Sequence, residues 1–145
     1  MPISDKLEEN KLFANCPDCS NILEMTMGFY ENIGYNPPWI GYFVRLEDRF
    51  VGTGAFKGIP VNNKVELAYS TFEWWRNQGI GKRICRELID LARNHDSKLI
   101  ISARTLPEKN FSTRILEENC FEWAGSILDE EDGEVWEWIY REPSE

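Results

Sequence analysis

Apolar positions change period several times along the chain, and each change marks a new element. Between Asp18 and Ile33 they fall at Ile22, Leu23, Thr26, Phe29, Tyr30 and Ile33, the three-and-four spacing of a helix. Gly34, Pro37 and Pro38 end it. Trp39–Leu46 and Phe50–Phe56 read as two strands joined at Glu47-Asp48, and Lys57–Asn63 is dense in turn residues. A third strand runs from Lys64 to about Phe72. From Gly79 to His95 a stripe of Ile80, Ile84, Cys85, Leu88, Ile89 and Ala92 opposes Lys82, Arg83, Arg86, Asp90, Arg93 and Asn94, the signature of an amphipathic helix. Lys98–Ala103 reads as a short strand buried on both faces. A helix from about Ser112 to Asn119 leads to strands near Phe121–Leu128 and Glu134–Arg141, with Asp132-Gly133 as the turn between them. Residues 1–17 show no period and predict no element.

The resulting order is helix, antiparallel meander, helix, strand, helix, hairpin. A strand–helix–strand passage in one sheet is almost always a right-handed crossover, so it implies a parallel pair. The fold class expected is α/β (α+β): a mixed, mostly antiparallel twisted sheet with a central parallel strand pair and flanking helices. With 145 residues and neither repeat nor linker, residues 1–145 read as one domain. The N-terminus lacks the basic and apolar stretches of a secretion signal, and no apolar run nears the roughly 18 residues of a membrane span. A cytoplasmic location is expected.

Charge sharpens the picture. Sixteen Lys and Arg against 25 Asp and Glu leave a net charge of −9, which repels nucleic acid and anionic membranes as main partners. Against this background Arg76, Lys82, Arg83 and Arg86 form a basic island. It surrounds Arg76-Asn77-Gln78-Gly79-Ile80-Gly81, placed where a strand gives way to a helix. A helix start carries unpaired N–H groups and partial positive charge, and glycines let a phosphate approach the backbone. The segment is not a Walker loop, because Arg83 follows Gly81-Lys82 and position 76 is not glycine. Nor is it a dinucleotide fingerprint, since position 84 is Ile. Cys16-Pro17-Asp18-Cys19 has the C-x-x-C spacing of a redox pair or half a zinc site, but no second such pair accompanies it, His95 is the only histidine and no strand-then-helix context precedes Cys16, so a structural role and no metal site are expected. Cys85 and Cys120 read as small core residues.

On these residues the chain resembles the GNAT (GCN5-related) N-acetyltransferases. Their acetyl-coenzyme A signature, [RQ]-x-x-G-x-[GA], is matched by Arg76, Gly79 and Gly81 after the strand Val65–Phe72. Ser112-Thr113-Arg114-Ile115-Leu116-Glu117-Glu118-Asn119-Cys120-Phe121 is similar to the late helix and turn of the branch containing ribosomal-protein N-terminal acetyltransferases. The resemblance extends from about Trp39 to Tyr140. Four departures stand out: Asn110 lies one position after the family's Asn, Glu118 replaces Lys, Cys120 replaces Gly, and Leu116 stands where many members carry a general-acid tyrosine.

The resemblance implies acetyl transfer from acetyl-CoA to a primary amine of a small molecule or peptide, by direct attack in a ternary complex. It implies cofactor contacts from Tyr69, Ser70, Thr71 and Phe72, where the strand bulges and splays, from Arg76, Asn77, Gln78, Gly79, Ile80, Gly81 and Lys82, and from Asn110. Strand alternation puts Glu66 on one face with Ala68, Ser70 and Phe72. A partly desolvated carboxylate there is the candidate general base, with Glu137 second. Ser112, at the start of the late helix, is the candidate acid or thiolate partner, with a helix N-cap as the alternative reading. Tyr30, Trp39 and Tyr42 are expected to line the acceptor groove, while Trp136, Trp138 and Tyr140 form a stripe at strand spacing read as core. The missing tyrosine leaves a second reading open, a non-catalytic acyl-CoA-binding sensor. A homodimer is compatible with either.

Overall fold

A computed structural model describes residues 1–143. Its elements are α1 (Pro17–Ile33), β1 (Gly41–Leu46), β2 (Arg49–Phe56), β3 (Lys64–Thr71), α2 (Ile80–His95), β4 (Ile100–Thr105), α3 (Phe111–Glu118), β5 (Phe121–Asp129) and β6 (Gly133–Tyr140). They form one six-stranded sheet in the order β1-β2-β3-β4-β6-β5. Every neighbouring pair is antiparallel except β3 and β4, the pair bridged by α2. The mixed sheet and its central parallel pair are those expected from the pattern.

Two layers of apolar side chains cover the sheet. On one face Ile84, Cys85, Leu88, Ile89 and Ala92 of α2 and Leu116 of α3 pack with Val65, Leu67, Ile101, Ala103, Phe121 and Trp138. Trp138 is buried as the stripe predicts, and its indole N–H donates to Thr105 Oγ1 at 3.0 Å. On the other face Cys19 and Tyr30 of α1 join Ile3, Phe13, Ile40, Phe43 and Phe72. The first residues are therefore not featureless. Leu7–Phe13 forms a 3₁₀ helix, Ile3 and Phe13 are buried, and Pro2 bridges to Tyr42 beside the β1 edge. A short 3₁₀ turn held by tertiary contacts has no amphipathic period to announce it.

Two boundaries move. Trp39 and Ile40 precede β1 in a turn, the Trp39 N–H donating to the Asn36 carbonyl at 2.9 Å. The strand expected from Lys98 begins at Ile100, because Asp96 Oδ1 accepts from the Lys98 N–H at 2.9 Å and holds a turn there.

Candidate active site

The site arises where two parallel strands part. β3 and β4 are paired only at Lys64–Glu66 with Ile100–Ser102, yet β3 continues to Thr71 and β4 to Thr105. Beyond this fork β4 keeps β6 as its partner and β3 keeps β2. The splay expected of this strand is present. The bulge is not, since the β2–β3 register is unbroken from Phe56↔Leu67 to Gly52↔Thr71; the register shifts lie in the β1–β2 and β5–β6 pairs.

That register decides which backbone groups are free. Lys57 N–H donates to the Glu66 carbonyl at 2.9 Å and Phe72 N–H to the Val51 carbonyl at 2.8 Å. In an antiparallel ladder such pairs recur at every second residue, so Glu66, Ala68, Ser70 and Phe72 turn their backbone groups toward β2. Leu67, Tyr69 and Thr71 turn theirs toward the gap. Of the four residues expected to hold a ligand through the backbone, Tyr69 and Thr71 are so aimed. Ser70 and Phe72 are not, and Phe72 is itself buried.

The gap leads directly to the start of α2. Gly79 is its N-cap in the left-handed conformation (φ 77°), and no side chain caps the helix. The N–H groups of the first turn thus have no intrahelical acceptor and point outward. Asn77 is also left-handed (φ 66°), giving the loop its concave backbone. Arg76 folds back, donating from Nε to the Thr71 carbonyl at 3.3 Å. A side chain at Gly81 would bring its Cβ to 2.8 Å from Ile115 Cδ1 and 3.2 Å from Thr71 Oγ1, so this glycine lets α2, α3 and β3 meet. Ile80 turns its side chain to the core and offers only its backbone.

Together these elements enclose an open cleft of about 600 Å³ lined by Tyr69, Ser70, Thr71, Arg76, Asn77, Gly79, Gly81 and Lys82 on one wall, and by α3 on the other. The α3 wall comprises Phe111, Ser112, Arg114, Ile115 and Glu118. Phe111, Arg114, Ile115 and Glu118 were missed as site residues. Their three-and-four spacing was visible, but nothing local says which side of so short a helix faces a ligand. Arg114 adds a cation beside Arg76 and Lys82, whose Nζ lies 3.8 Å from Glu118. Tyr69 donates its phenol to the Ser112 carbonyl at 3.2 Å, and burial pushes that phenol well above its ordinary range. It stays protonated at neutral pH. Gln78 is exposed beside the loop and does not line the cleft.

Several expected roles are reassigned by geometry. Asn110 is the N-cap of α3: its side chain accepts from Thr113 N–H at 3.2 Å, while Thr113 Oγ1 accepts from Asn110 N–H at 2.9 Å. This capping box takes Asn110 out of the cleft and frees Ser112 from capping. Tyr30 is interior, its hydroxyl bonded at 2.9 Å to both the Ile3 carbonyl and the Gly41 N–H, and burial raises it to about 12. Trp39 is buried against Phe56 and His95, and Tyr42 donates to the Pro38 carbonyl at 2.7 Å. Tyr30 and Trp39 are thus buried parts of the fold around β1, Tyr42 is half-buried beside them, and none of the three lines this cleft.

Leu116, at the family's tyrosine position, is fully buried in the core. Leu116→Tyr is therefore expected to overpack the interior and cost about 1–3 kcal/mol without raising turnover. Thermal unfolding measured beside activity checks both halves. Cys120, at the family's glycine, has φ 68°, a conformation that glycine adopts without strain.

Glu66 stands at the fork, on the sheet face opposite α2. It is largely buried and holds two cations, Lys57 at 3.1 Å and Arg104 at 3.4 Å. Arg104 also reaches Asp129 at 2.9 Å. Glu137 is paired with Lys64 at 2.9 Å. Both candidate bases are thus fixed by ion pairs, Glu66 at the point where the strands part and Glu137 on β6 opposite Arg104.

The strand fork opens onto the uncapped start of α2, and the comparisons identify the family that this fold belongs to. Residues 9–120 match the Acetyltransferase (GNAT) family. The chain belongs to that family of acetyltransferases. Similar solved structures share the fold at low identity. A ribosomal-protein-alanine N-acetyltransferase from Brucella melitensis is 19% identical over 96% of each chain, with a TM-score of 0.68. RimL, a ribosomal L7/L12 alpha-N-protein acetyltransferase in complex with coenzyme A, is 16% identical over 84% of this chain and 70% of its own, at 0.64. The aminoglycoside acetyltransferase AAC(6')-Ib, in complex with coenzyme A and kanamycin, is 16% identical over 71% of this chain and 66% of its own, at 0.62. No curated protein matches the sequence.

Proposed function

We propose that this protein is an acetyl-CoA-dependent N-acetyltransferase acting on a primary amine of a small molecule or peptide by direct attack in a ternary complex. The fork beyond Glu66 and Ser102, open to the uncapped start of α2, is the observation that carries this reading. The residues present suit the donor. Outward N–H groups from Gly79 to Lys82, with Arg76, Lys82 and Arg114, match a pyrophosphate. The backbone of Tyr69 and Thr71 suits the amide-bearing arm. When bound, acetyl-CoA supplies an activated thioester carbonyl.

The chain's own groups do the rest. Backbone N–H groups at the fork orient and polarise the carbonyl, and positioning the amine against it removes much of the entropic barrier. Glu66 takes the amine's proton, directly or through one water. The Ser112 hydroxyl, released from capping and lining the cleft, donates to the departing sulfur. RimL and the aminoglycoside enzyme act on a protein amine and a small-molecule amine, which supports an amine acceptor here.

The test is a thermal shift followed by turnover. Acetyl-CoA at 100-fold excess over its Kd should stabilise by about 2.7 kcal/mol, roughly 5–10 °C for a chain this size, and ATP should not. Release of free thiol upon adding an amine panel should follow. A shift without thiol release on any amine would instead favour the non-catalytic acyl-CoA sensor.

A further inference from the structure

The C-x-x-C pair is not part of the cleft, and its surroundings give it a chemistry of its own. Cys16 is the N-cap of α1, Pro17 opens the helix, and Cys19 lies in its first turn, its N–H donating to the Cys16 carbonyl at 3.0 Å. That bond closes a turn from residue i to i+3, which brings the Cα atoms of the two cysteines within about 7 Å of each other. Their accessibility differs sharply: Cys16 is partly exposed, whereas Cys19 is completely buried among Phe13, Phe43 and Phe72. Among the described residues no third His, Cys, Asp or Glu joins them to hold a metal ion. The pair is therefore a dithiol with one partly accessible cysteine, packed at the edge of that aromatic cluster, and one enclosed within it.

We propose that Cys16 and Cys19 form a thiol–disulfide exchange site for small disulfides, with Cys16 as the attacking thiol and Cys19 as the resolving one. Cys16, as thiolate, attacks one sulfur of the small disulfide, breaking its S–S bond, forming a mixed disulfide and expelling one small thiol. Cys19 then loses its proton and attacks Cys16 Sγ, expelling the second small thiol and leaving a Cys16–Cys19 bond. The protein gives up two electrons and two protons, and the small disulfide becomes two thiols. A turn of this span lies at the reach of a disulfide, whose Cα atoms are about 4.4–6.8 Å apart, so side-chain rotation with little backbone adjustment closes an S–S bond of about 2.05 Å. Burial pushes the Cys19 thiol above its ordinary range, so it does not compete as the first nucleophile. Attack by Cys19 on the mixed disulfide is intramolecular and needs no access from solvent.

The reduced full chain, equilibrated with oxidised and reduced glutathione at graded ratios, quenched with acid and alkylated, tests this by peptide mass. Expected is the joint loss of alkylation at Cys16 and Cys19 at the oxidising end and its recovery at the reducing end. Buried Cys85 is unchanged throughout. Cys19→Ser should accumulate a stable glutathione mixed disulfide on Cys16, and Cys16→Ser should leave Cys19 unmodified. Retention of both thiols at the oxidising end, or glutathione on Cys120 in their place, overturns the proposal. A Cys19 that reacts equally fast without Cys16 overturns the assigned order. The wild-type measurement stands even if a serine variant fails to fold.

Discussion

Gly79→Asp is expected to lose acetyl-CoA binding while the isosteric Gly79→Asn keeps most of it. Gly79 is left-handed (φ 77°), and a Cβ there meets no atom within 4 Å. Asn and Asp are the side chains that best tolerate this backbone, so both variants should fold with similar stability. They differ by one negative charge at a helix start proposed to hold a pyrophosphate. At an effective dielectric near 20, like charges about 5 Å apart repel by about 3 kcal/mol. That corresponds to roughly a 100-fold weaker Kd for Asp than for Asn. Calorimetric titration of both variants, with thermal unfolding as the control, makes the comparison. Equal affinities would remove the phosphate from this turn. Gly81→Glu is the less decisive choice, because its Cβ would already press on Ile115 and Thr71 before any ligand is present.

Glu66→Gln should leave acetyl-CoA affinity unchanged and lower turnover by about 10²–10⁴-fold, the range a general base contributes. The loss should be greatest at low pH, where the amine is most often protonated and most needs a proton acceptor. As pH rises past the amine's own ionisation, the variant should approach the parent. Stability should change little, because Lys57 is half-exposed and Arg104 keeps Asp129 as a partner. A pH–rate profile of kcat/KM for both forms checks this. A variant as active as the parent at every pH would remove Glu66 as base. A uniform drop at every pH would make it a positioning residue for Arg104. Glu137→Gln is the matching control on β6.

The long elements were legible because each carries its own period. The α2 stripe from Ile80 to Ala92 and the alternation of β3 leave little freedom in how those segments bury their apolar faces. The turn proposed to hold the pyrophosphate is legible for a related reason: Arg76, Gly79 and Gly81 would act largely through local backbone geometry at a helix start. Asn110 and Ser112 could not be separated in this way. Either can cap α3, and only Thr113 returning a bond to Asn110 selects one and frees the other. Tyr30 and Trp39 are buried rather than lining a groove, and composition does not separate the two because an aromatic ring suits a core and a groove equally well.

The sequence by itself determined the order of elements, the parallel pair implied by the crossover, the basic turn within an acidic chain and the family resemblance. Those features depend on period, handedness and local charge, all carried by neighbouring residues. Tertiary structure decided which backbone groups face the fork, which side of α3 forms its wall, and that Glu66 holds Lys57 and Arg104. It also left Cys16 partly accessible and enclosed Cys19. Each depends on register or packing between segments far apart in the chain, and burial is assigned only when those segments meet.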